Sequence, residues 1–472
     1  MNISLHGITD QDFLKMGWCG KLLFVLVSCS VAFVYQQYHQ ATKPFPIPEL
    51  KLQKYWGAGT PKPDNTKIDK FVVDFKQADV DKLKSKLSDT SYLSKPLEDA
   101  KFHYGFNSNK LKSVVSYWKD TYLTKWDQRQ AHLNKFPQFM TQIQGLNIHF
   151  IHVVPKVTKN VKVYPILLLH GWPGSVVEFY DLIPLLTAES KDKDYVFEVI
   201  APSLPGYGFS EAASKQGLNY AEMAIIFRNL MARLGKSRYF IQGGDWGSAI
   251  GTTMASYFPN EILGYHSNMC AVNTPIANVK TFISSFYPKY FVEKEEHVKF
   301  YYPILPNLVE LLVESGYMHI QATKPDTVGT ALAGNPVGLA AYIMEKFSTW
   351  TNKAYRDLED GGLEKYFTMD ALLDNIMLYY IPNSILTSQR LYKESFSNPE
   401  VFKNDRIPVT VPVACAKYRH ELLNQIDWIL KDKFTNLVQT SHFPDGGHFA
   451  AMQLPKVMYK DIVDFVNKVQ KK

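Results

Sequence analysis

The chain has 472 residues, 46% hydrophobic and 14% aromatic, so it can bury a large core and does not have the composition of a disordered scaffold. Its net charge of +7 comes from 52 basic and 45 acidic residues, and no arginine-rich block or basic helix predicts a nucleic-acid partner. The 4 cysteines are scattered and form no C-x-x-C motif, which argues against a disulfide framework and against a structural zinc site.

The N-terminal region contains a stretch long enough to cross a bilayer. Met16–Tyr35 is apolar except for one lysine. A cleaved signal peptide is the alternative, because Ser30–Ala32 offers a small-x-small cleavage site. However, Asp10 and Asp12 stand where a signal peptide should carry only positive charge. We therefore predict an uncleaved membrane anchor within residues 1–40.

Charges around this stretch weakly favour a cytosolic catalytic body. The lysines on its two sides are Lys15 and Lys21, then Lys43, Lys51 and Lys54. Cytosolic flanks carry the excess of basic residues, so the side with more lysines is predicted to be cytosolic. The only N-glycosylation sequon, Asn2–Ser4, precedes the anchor.

Residues 41–137 show no strand–helix alternation. They contain amphipathic stretches at Asp79–Leu87 and Leu111–Thr121. We predict a segment that wraps around the core, not an independent domain. Phe139–Val154 then alternates apolar and polar side chains, which predicts a hairpin at the edge of a sheet.

Three buried strands, each followed by a turn and a helix, indicate an α/β sheet. The strands are predicted at Ile166–Leu169, Phe197–Ala201 and Arg238–Gln242. Polar residues follow each strand, where open sheets place their sites. Residues 138–274 are therefore predicted to form the first half of an α/β core.

Residues 275–395 are rich in tyrosine, phenylalanine, methionine and leucine at helical spacing, and they lack a strand pattern. This predicts a helical cap inserted over the sheet. A strand pattern returns at Val409–Ala416, and an amphipathic helix ends near Val469. Residues 396–472 are thus predicted to complete the core.

The third strand runs into a glycine-rich turn around Asp245. Gly243 and Gly247 lie two residues before and two after it, which lets a strand turn sharply into a helix and exposes the central side chain. Such an elbow usually carries serine. A carboxylate here would attack carbon directly and form an ester. A plain turn with a helix-capping aspartate is the alternative.

His448 lies near the C-terminus behind two glycines. The order nucleophile, acid, histidine is that of α/β-hydrolases, in which the histidine activates water. A carboxylate must hold its tautomer. Glu421 follows the strand Val409–Ala416 closely and is preferred, with Asp427 as the competitor.

The turn after Ile166–Leu169, His170–Pro173, should neighbour the elbow. Backbone N–H groups of such a turn, with the one following the nucleophile, form an oxyanion hole in this fold. The groups predicted are those of Trp172 and Trp246. They would hold the free oxygen of Asp245 and, later, a tetrahedral intermediate.

Seven stretches together carry a resemblance to a known family. They are Y-W-G-A-G-T (55–60), H-G-W-P-G-S (170–175), P-S-L-P-G-Y-G-F-S-E-A (202–212), G-G-D-W-G-S (243–248), E-S-G-Y-M-H-I-Q-A-T-K-P-D-T-V-G (314–329), S-Q-R-L-Y-K-E (388–394) and G-G-H-F-A-A (446–451). With the N-terminal anchor, they make nearly the whole chain resemble microsomal epoxide hydrolase, including the insect juvenile hormone epoxide hydrolases.

The resemblance implies an α/β-hydrolase fold with an inserted cap and an enzyme that converts small apolar epoxides and water to diols. It implies that Asp245 is the nucleophile, His448 the base and Glu421 its acid, although the residues around Glu421 match the family less well. Two cap tyrosines of the family match Tyr317 and Tyr392, whose phenols would hydrogen-bond the epoxide oxygen. No metal or cofactor is implied. The implied location is the endoplasmic reticulum membrane, crossed once.

Two other functions fit parts of the pattern. Haloalkane dehalogenases share the Asp–His pair and the tryptophan after the nucleophile, but they need indole N–H donors for halide where this cap offers tyrosines. A catalytically inactive binding protein of the same fold would be expected to have lost a member of the triad, and this chain keeps all three.

Overall fold

The computed structural model describes residues 17–158, 161–191 and 193–471, without the side chain of Val34. The sequon Asn2–Ser4, the leading aspartates Asp10 and Asp12, and Lys15 lie outside the described residues. Within them, one mixed sheet forms the centre of the molecule, and helices cover it.

The described residues form nine strands in one sheet: β1 (Asp69–Phe71), β2 (Gln138–Ile143), β3 (Leu146–Val153), β4 (Lys162–Leu169), β5 (Tyr195–Pro202), β6 (Tyr239–Gly243), β7 (Ile262–Ser267), β8 (Val413–Tyr418) and β9 (Leu437–Phe443). Their order is β1-β2-β3-β5-β4-β6-β7-β8-β9. Strands β5, β4, β6, β7, β8 and β9 are parallel, and β1, β2 and β3 join antiparallel. The parallel strands are near-continuous apolar runs because both of their faces are covered.

The predicted edge hairpin exists as β2 and β3, but it does not form the edge of the sheet. Asp69–Phe71, from the predicted wrapping segment, pairs outside β2. An isolated three-residue strand carries too little periodicity to be recognised in the sequence.

The helices before the cap are α1 (Trp18–Thr42), α2 (Gln77–Lys86), α3 (Ser108–Tyr117), α4 (Trp126–Leu133), α5 (Leu182–Thr187), α6 (Tyr220–Arg233) and α7 (Asp245–Tyr257). The helices between β7 and β8 are α8 (Pro275–Phe286), α9 (Pro288–Phe291), α10 (Ile304–Glu314), α11 (Gly316–Thr323), α12 (Pro325–Ala333), α13 (Pro336–Thr349), α14 (Met369–Tyr380), α15 (Ser384–Phe396) and α16 (Pro399–Phe402). After β8 follow α17 (Asp427–Leu430), α18 (Ala450–Gln453) and α19 (Pro455–Gln470).

Several helices begin with the capping residue that sequence rules expect. Asn219, for example, accepts hydrogen bonds from the N–H groups of Ala221 and Glu222 at the start of α6.

Residues 41–137 are tied to the cap by a buried charge. Asp374 on α14 is fully buried, accepts a hydrogen bond from the Tyr122 hydroxyl at 2.7 Å and pairs with the Arg129 guanidinium. A buried carboxylate is tolerated only when it is paired and hydrogen-bonded in this way. The N-terminal segment therefore holds the cap in place over the sheet.

The sequence did not indicate a single disulfide. Cys270 and Cys415 form one, although the scattered cysteines argued only against a disulfide framework. Cys415 lies on β8 opposite Ser267 of β7, and Cys270 follows Ser267 by three residues. The cap is inserted between these neighbouring strands, so it separates the two cysteines by 145 positions in the chain and hides their proximity.

Helix α1 extends beyond the predicted Met16–Tyr35 stretch, to Thr42. By its length and composition it could cross a membrane, and the apolar window that shows this is not buried in the protein. Its last turn is fastened to the core, because the Arg406 guanidinium donates to the carbonyl oxygens of Gln40 and Lys43.

Candidate active site

Asp245 stands at the sharp turn from β6 into α7, with a backbone φ of 49°. This left-handed conformation is uncommon for any residue other than glycine and is a strained feature that clusters at functional sites. The neighbouring glycines are required by close packing. A Cβ on Gly243 would lie 2.3 Å from the Gly247 carbonyl oxygen, and one on Gly247 would lie 2.0 Å from that of Leu169.

The turn after β4 covers one oxygen of this carboxylate. The Trp172 N–H donates to Asp245 Oδ1 at 2.8 Å. A Cβ on Gly171 would lie 2.1 Å from the same oxygen, so only glycine lets the turn approach this closely. Trp246, the other predicted donor, is the second residue of α7, and its N–H donates no hydrogen bond to this carboxylate in the part of the chain that the structure describes.

His448 lies between two carboxylates. Its Nε2 is 3.3 Å from Asp245 Oδ2, and its Nδ1 is 2.8 Å from Glu421 Oε1. Asp427, the competing acid, instead binds Lys417 at 2.7 Å and accepts from the Thr440 hydroxyl at 2.8 Å. The structure therefore brings Glu421, and not Asp427, to the histidine.

Electrostatics favour a protonated histidine in this arrangement. Burial acts to lower the pKa of His448, but the charge of Glu421 and the hydrogen bond to Asp245 outweigh burial and raise the pKa well above its usual value. Trp350 encloses the ring, with centroids 5.0 Å apart and planes nearly perpendicular. The imidazolium is thus stabilised as long as both carboxylates are ionised.

The two predicted cap tyrosines converge on the Trp172 indole. Tyr317 stacks on it at 5.2 Å between centroids, and Tyr392 stands perpendicular to it at 5.9 Å. The Tyr392 hydroxyl is buried, with the Tyr317 hydroxyl and the Trp246 indole N–H close to it. Burial, reinforced for both by the charge of Asp245, raises the pKa of Tyr317 and of Tyr392, so both phenols hold their protons.

Glu178 is a candidate site residue that the sequence did not single out. It lies on a 3₁₀ turn, Val176–Phe179, and lines a small cavity together with Asp245 and His448. Burial raises its pKa to about 8, so it carries a proton at neutral pH. A lone acid in the apolar run V-V-E-F-Y was the available signal, but nothing local showed which way it points.

Two family profiles match the chain. One described as "Epoxide hydrolase N terminus" matches residues 68–179, and one described as "alpha/beta hydrolase fold" matches residues 164–455. The first covers most of the wrapping segment, strands β1 to β3 and the Trp172 turn. The second covers the parallel strands from Tyr164 of β4 onward, the cap and every residue of the candidate site.

Relatives are similar over almost their full lengths. Juvenile hormone epoxide hydrolase 2 of Ctenocephalides felis is 47% identical over 454 residues, covering 96% of this chain and 96% of the relative. Epoxide hydrolase 1 of Sus scrofa is 44% identical, covering 87% of this chain and 92% of its own.

Two solved structures of epoxide hydrolases are also similar to this chain. The crystal structure of juvenile hormone epoxide hydrolase from Bombyx mori has a TM-score of 0.86 and 48% identity, covering 89% of this chain and 99% of that one. The Aspergillus niger epoxide hydrolase structure gives 0.68 and 25%, with coverages of 89% and 99%. These similarities confirm the predicted α/β-hydrolase fold, and they favour epoxide hydrolysis over haloalkane dehalogenation or an inactive binding protein. The chain belongs to the epoxide hydrolase family, and it is an epoxide hydrolase.

Proposed function

We propose that this enzyme opens apolar epoxides through a covalent ester on Asp245 and releases a vicinal diol with a water activated by His448. One observation carries the proposal: the imidazole of His448 lies within 3.3 Å of Asp245 Oδ2 and 2.8 Å of Glu421 Oε1. The nucleophile, the base and the acid that orients the base are thus next to one another in space, as covalent hydrolysis requires.

In the first step, Asp245 Oδ2 attacks a ring carbon of the epoxide. The Trp172 N–H holds Oδ1, which leaves Oδ2 as the attacking oxygen. The C–O bond of the ring breaks, and its electron pair goes to the departing oxygen. That oxygen takes a proton from a phenol of the Tyr317–Tyr392 pair, which yields a hydroxyalkyl ester.

In the second step, water adds to the ester carbonyl carbon and gives its proton to His448 Nε2. Esterification removes the negative charge of Asp245, which was one cause of the raised His448 pKa. The pKa therefore falls once the ester forms, and the neutral base becomes available when it is needed. On collapse of the tetrahedral intermediate, held by the N–H groups of Trp172 and Trp246, the bond from the former carbonyl carbon to the alkyl oxygen breaks, and that oxygen takes the proton from His448 and leaves as the diol. The Asp245 carboxyl then gives its proton to His448 and is a carboxylate again. The phenolate of the first step regains its proton from the one that His448 loses when the ester forms.

The cavity beside Asp245 is a suitable position for that water. It has room for about one water molecule and is lined by polar groups of Glu178, Gln242, Asn268 and His448. Because the Glu178 carboxyl is neutral at pH 7, it can donate a hydrogen bond without competing with His448 for the proton.

A single turnover in heavy-oxygen water tests the covalent route. With enzyme in excess, we expect the first diol to carry an oxygen from the protein and the Asp245 peptide to gain one heavy oxygen, read by mass spectrometry. Direct attack of water on the epoxide would instead label the diol and leave the peptide unlabelled, and that result would overturn the proposal.

Removing either phenol should slow ester formation more than ester hydrolysis. We expect Tyr317→Phe and Tyr392→Phe each to lower the alkylation rate by about 10²–10³-fold, the usual cost of losing one donor to a developing oxyanion. Rapid-mixing measurement of tryptophan fluorescence would follow the step. Tyr342→Phe is the matched control, because Tyr342 also contacts Trp172 but its hydroxyl accepts from Gln321. An equal loss in all three variants would contradict a direct role for the pair.

We also propose that α1 anchors the enzyme once in the endoplasmic reticulum membrane, with the catalytic body in the cytosol. The length and exposed apolar surface of α1 support the anchor, and Lys43, Lys51 and Lys54 after it support this orientation. Aromatic rings around the phenols support an apolar substrate, either a foreign compound or a lipid or terpenoid epoxide.

A further inference from the structure

Helix α10 carries its apolar face outward. Leu305, Leu308, Val309, Leu312 and Val313 recur at helical spacing and are between 51% and 76% exposed. No residue of this helix is buried. A surface helix of a soluble protein normally turns such a stripe towards the core, so this exposed face indicates a surface that contacts an apolar partner.

The charged residues of α10 point the other way. Glu310 and Glu314 each lie 2.7 Å from the Arg356 guanidinium. The acidic side chains thus hold the helix against the cap, and the outward face contains no carboxylate. An uncharged apolar face with its charges turned inward fits a hydrocarbon environment better than an aqueous one.

Helix α8 repeats this arrangement next to α10. Its exposed apolar residues are Val279, Phe282, Ile283 and Phe286, followed by the exposed Tyr287 and Tyr290. The buried Ser284 on its inner side lies beside Tyr302, two residues before α10 begins. The inner side of α8 is therefore close to the start of α10. Exposed tyrosines beside an apolar face are typical of residues at the headgroup level of a bilayer.

The candidate anchor lies against one of these helices. Helix α1 contacts α8. The chain leaving α1 is fixed to the core, since the Phe45 N–H donates to the Arg406 carbonyl oxygen at 2.9 Å and the Arg406 guanidinium covers the Phe45 ring at 4.0 Å. A bilayer that contains α1 would thus be adjacent to α8 without any rearrangement of the chain.

We propose that the outward faces of α8 and α10, here called the cap face, lie in the surface layer of the bilayer that α1 enters, and that apolar epoxides reach the site from that layer. The proposal rests on the anchoring proposed for α1. Helix α10 leads through Ser315 and Gly316 directly to Tyr317, so the cap face and a phenol of the proposed site lie on consecutive helices of the chain. The occupant is lipid, and a second copy of the chain is the alternative that the test must exclude.

Depth measurement on the full chain tests the contact. Cys19 and Cys29 are exposed and free, so both are first replaced by serine. Spin labels are then placed one at a time by Phe282→Cys or Leu308→Cys on the cap face, by Val27→Cys on α1, and by Leu97→Cys, a site 62% exposed in the N-terminal segment, as the control. The protein is reconstituted in phosphatidylcholine vesicles. Collisions with oxygen, which concentrates in lipid, are compared with collisions with a water-soluble nickel chelate.

We expect oxygen to dominate at positions 282 and 308 and the nickel chelate to dominate at position 97. Nickel access at 282 and 308 equal to that at 97 would overturn the proposal. Shielding of both positions from both reagents would also overturn it, because a second protein copy would then cover the face. The spin label at position 27 shows separately whether α1 lies in the bilayer. Diol formation by the same samples shows separately whether the proposed catalysis takes place.

Kinetics with two substrates test the entry route. We expect Leu312→Glu to raise the KM for a long-chain epoxide supplied in vesicles by about tenfold or more, as for the lost burial of one leucine. The kcat and KM for a short water-soluble epoxide should not change. Leu97→Glu is the matched control and should change neither. Equal changes for both substrates, or no change for either, would overturn entry through the cap face.

Discussion

Replacing Asp245 with asparagine should abolish diol formation, lowering turnover by about 10⁴-fold or more, as for loss of a catalytic nucleophile. An amide oxygen does not attack an epoxide carbon at a useful rate, so the ester cannot form. Asparagine is the best substitute, because it tolerates the backbone φ of 49° at this turn better than alanine. Turnover should be measured with several epoxides, and folding should be checked by thermal unfolding.

Asp99→Asn is the matched control for this substitution. Asp99 has a φ of 57° and is exposed, so the same chemical change is made at the same backbone conformation, away from the site. Full activity is expected. If Asp245→Asn retained activity while Glu178→Gln lost it, the carboxylate that forms the ester would be Glu178, and the proposed mechanism would be wrong.

Replacing His448 with glutamine should have a different effect, because it should trap the ester. In the proposed mechanism, alkylation needs only Asp245 and the phenols, whereas hydrolysis needs a base at Nε2. We expect kcat to fall by about 10²–10⁴-fold, the usual contribution of a general base. Intact-protein mass spectrometry should find the chain heavier by the mass of one epoxide. His420→Gln, at a histidine that contacts Asn352 outside the proposed site, should keep activity and accumulate no adduct. No adduct in His448→Gln would argue against the two-step route.

The same histidine predicts a pH effect that separates the two steps. In the resting enzyme the pKa of His448 is raised, so the imidazole is protonated at neutral pH. In the ester state the Asp245 charge is gone and the pKa falls. Ester hydrolysis requires the neutral ring and should therefore slow as pH falls through this lower pKa, while alkylation continues. At acid pH, rapid mixing should show a burst of ester followed by slow release.

The local sequence determined much of the candidate site. The elbow around Asp245 could be recognised because only glycine fits where another backbone segment approaches too closely to leave room for a Cβ atom. The structure shows such close approaches at Gly243 and Gly247. The strand–helix alternation was equally readable, since buried parallel strands are continuous apolar runs. Residues that follow such strands meet at one edge of the sheet, which is why Trp172, Asp245 and His448 could be chosen from the sequence.

Tertiary structure alone decided the remainder. Whether Glu421 or Asp427 faces the histidine depends on the direction of each side chain, and Asp427 forms an ion pair with Lys417 instead. The position of Glu178 beside Asp245 and His448 could not be predicted from the sequence, and neither could the pairing of Cys270 with Cys415. In both cases the fold brings together residues that are far apart in the chain. The outward stripe on α10 has the same spacing as a buried one, since periodicity shows that a helix has an apolar face but not what covers it. Local pattern is set by neighbours along the chain, and long-range contact is set by how the layers pack.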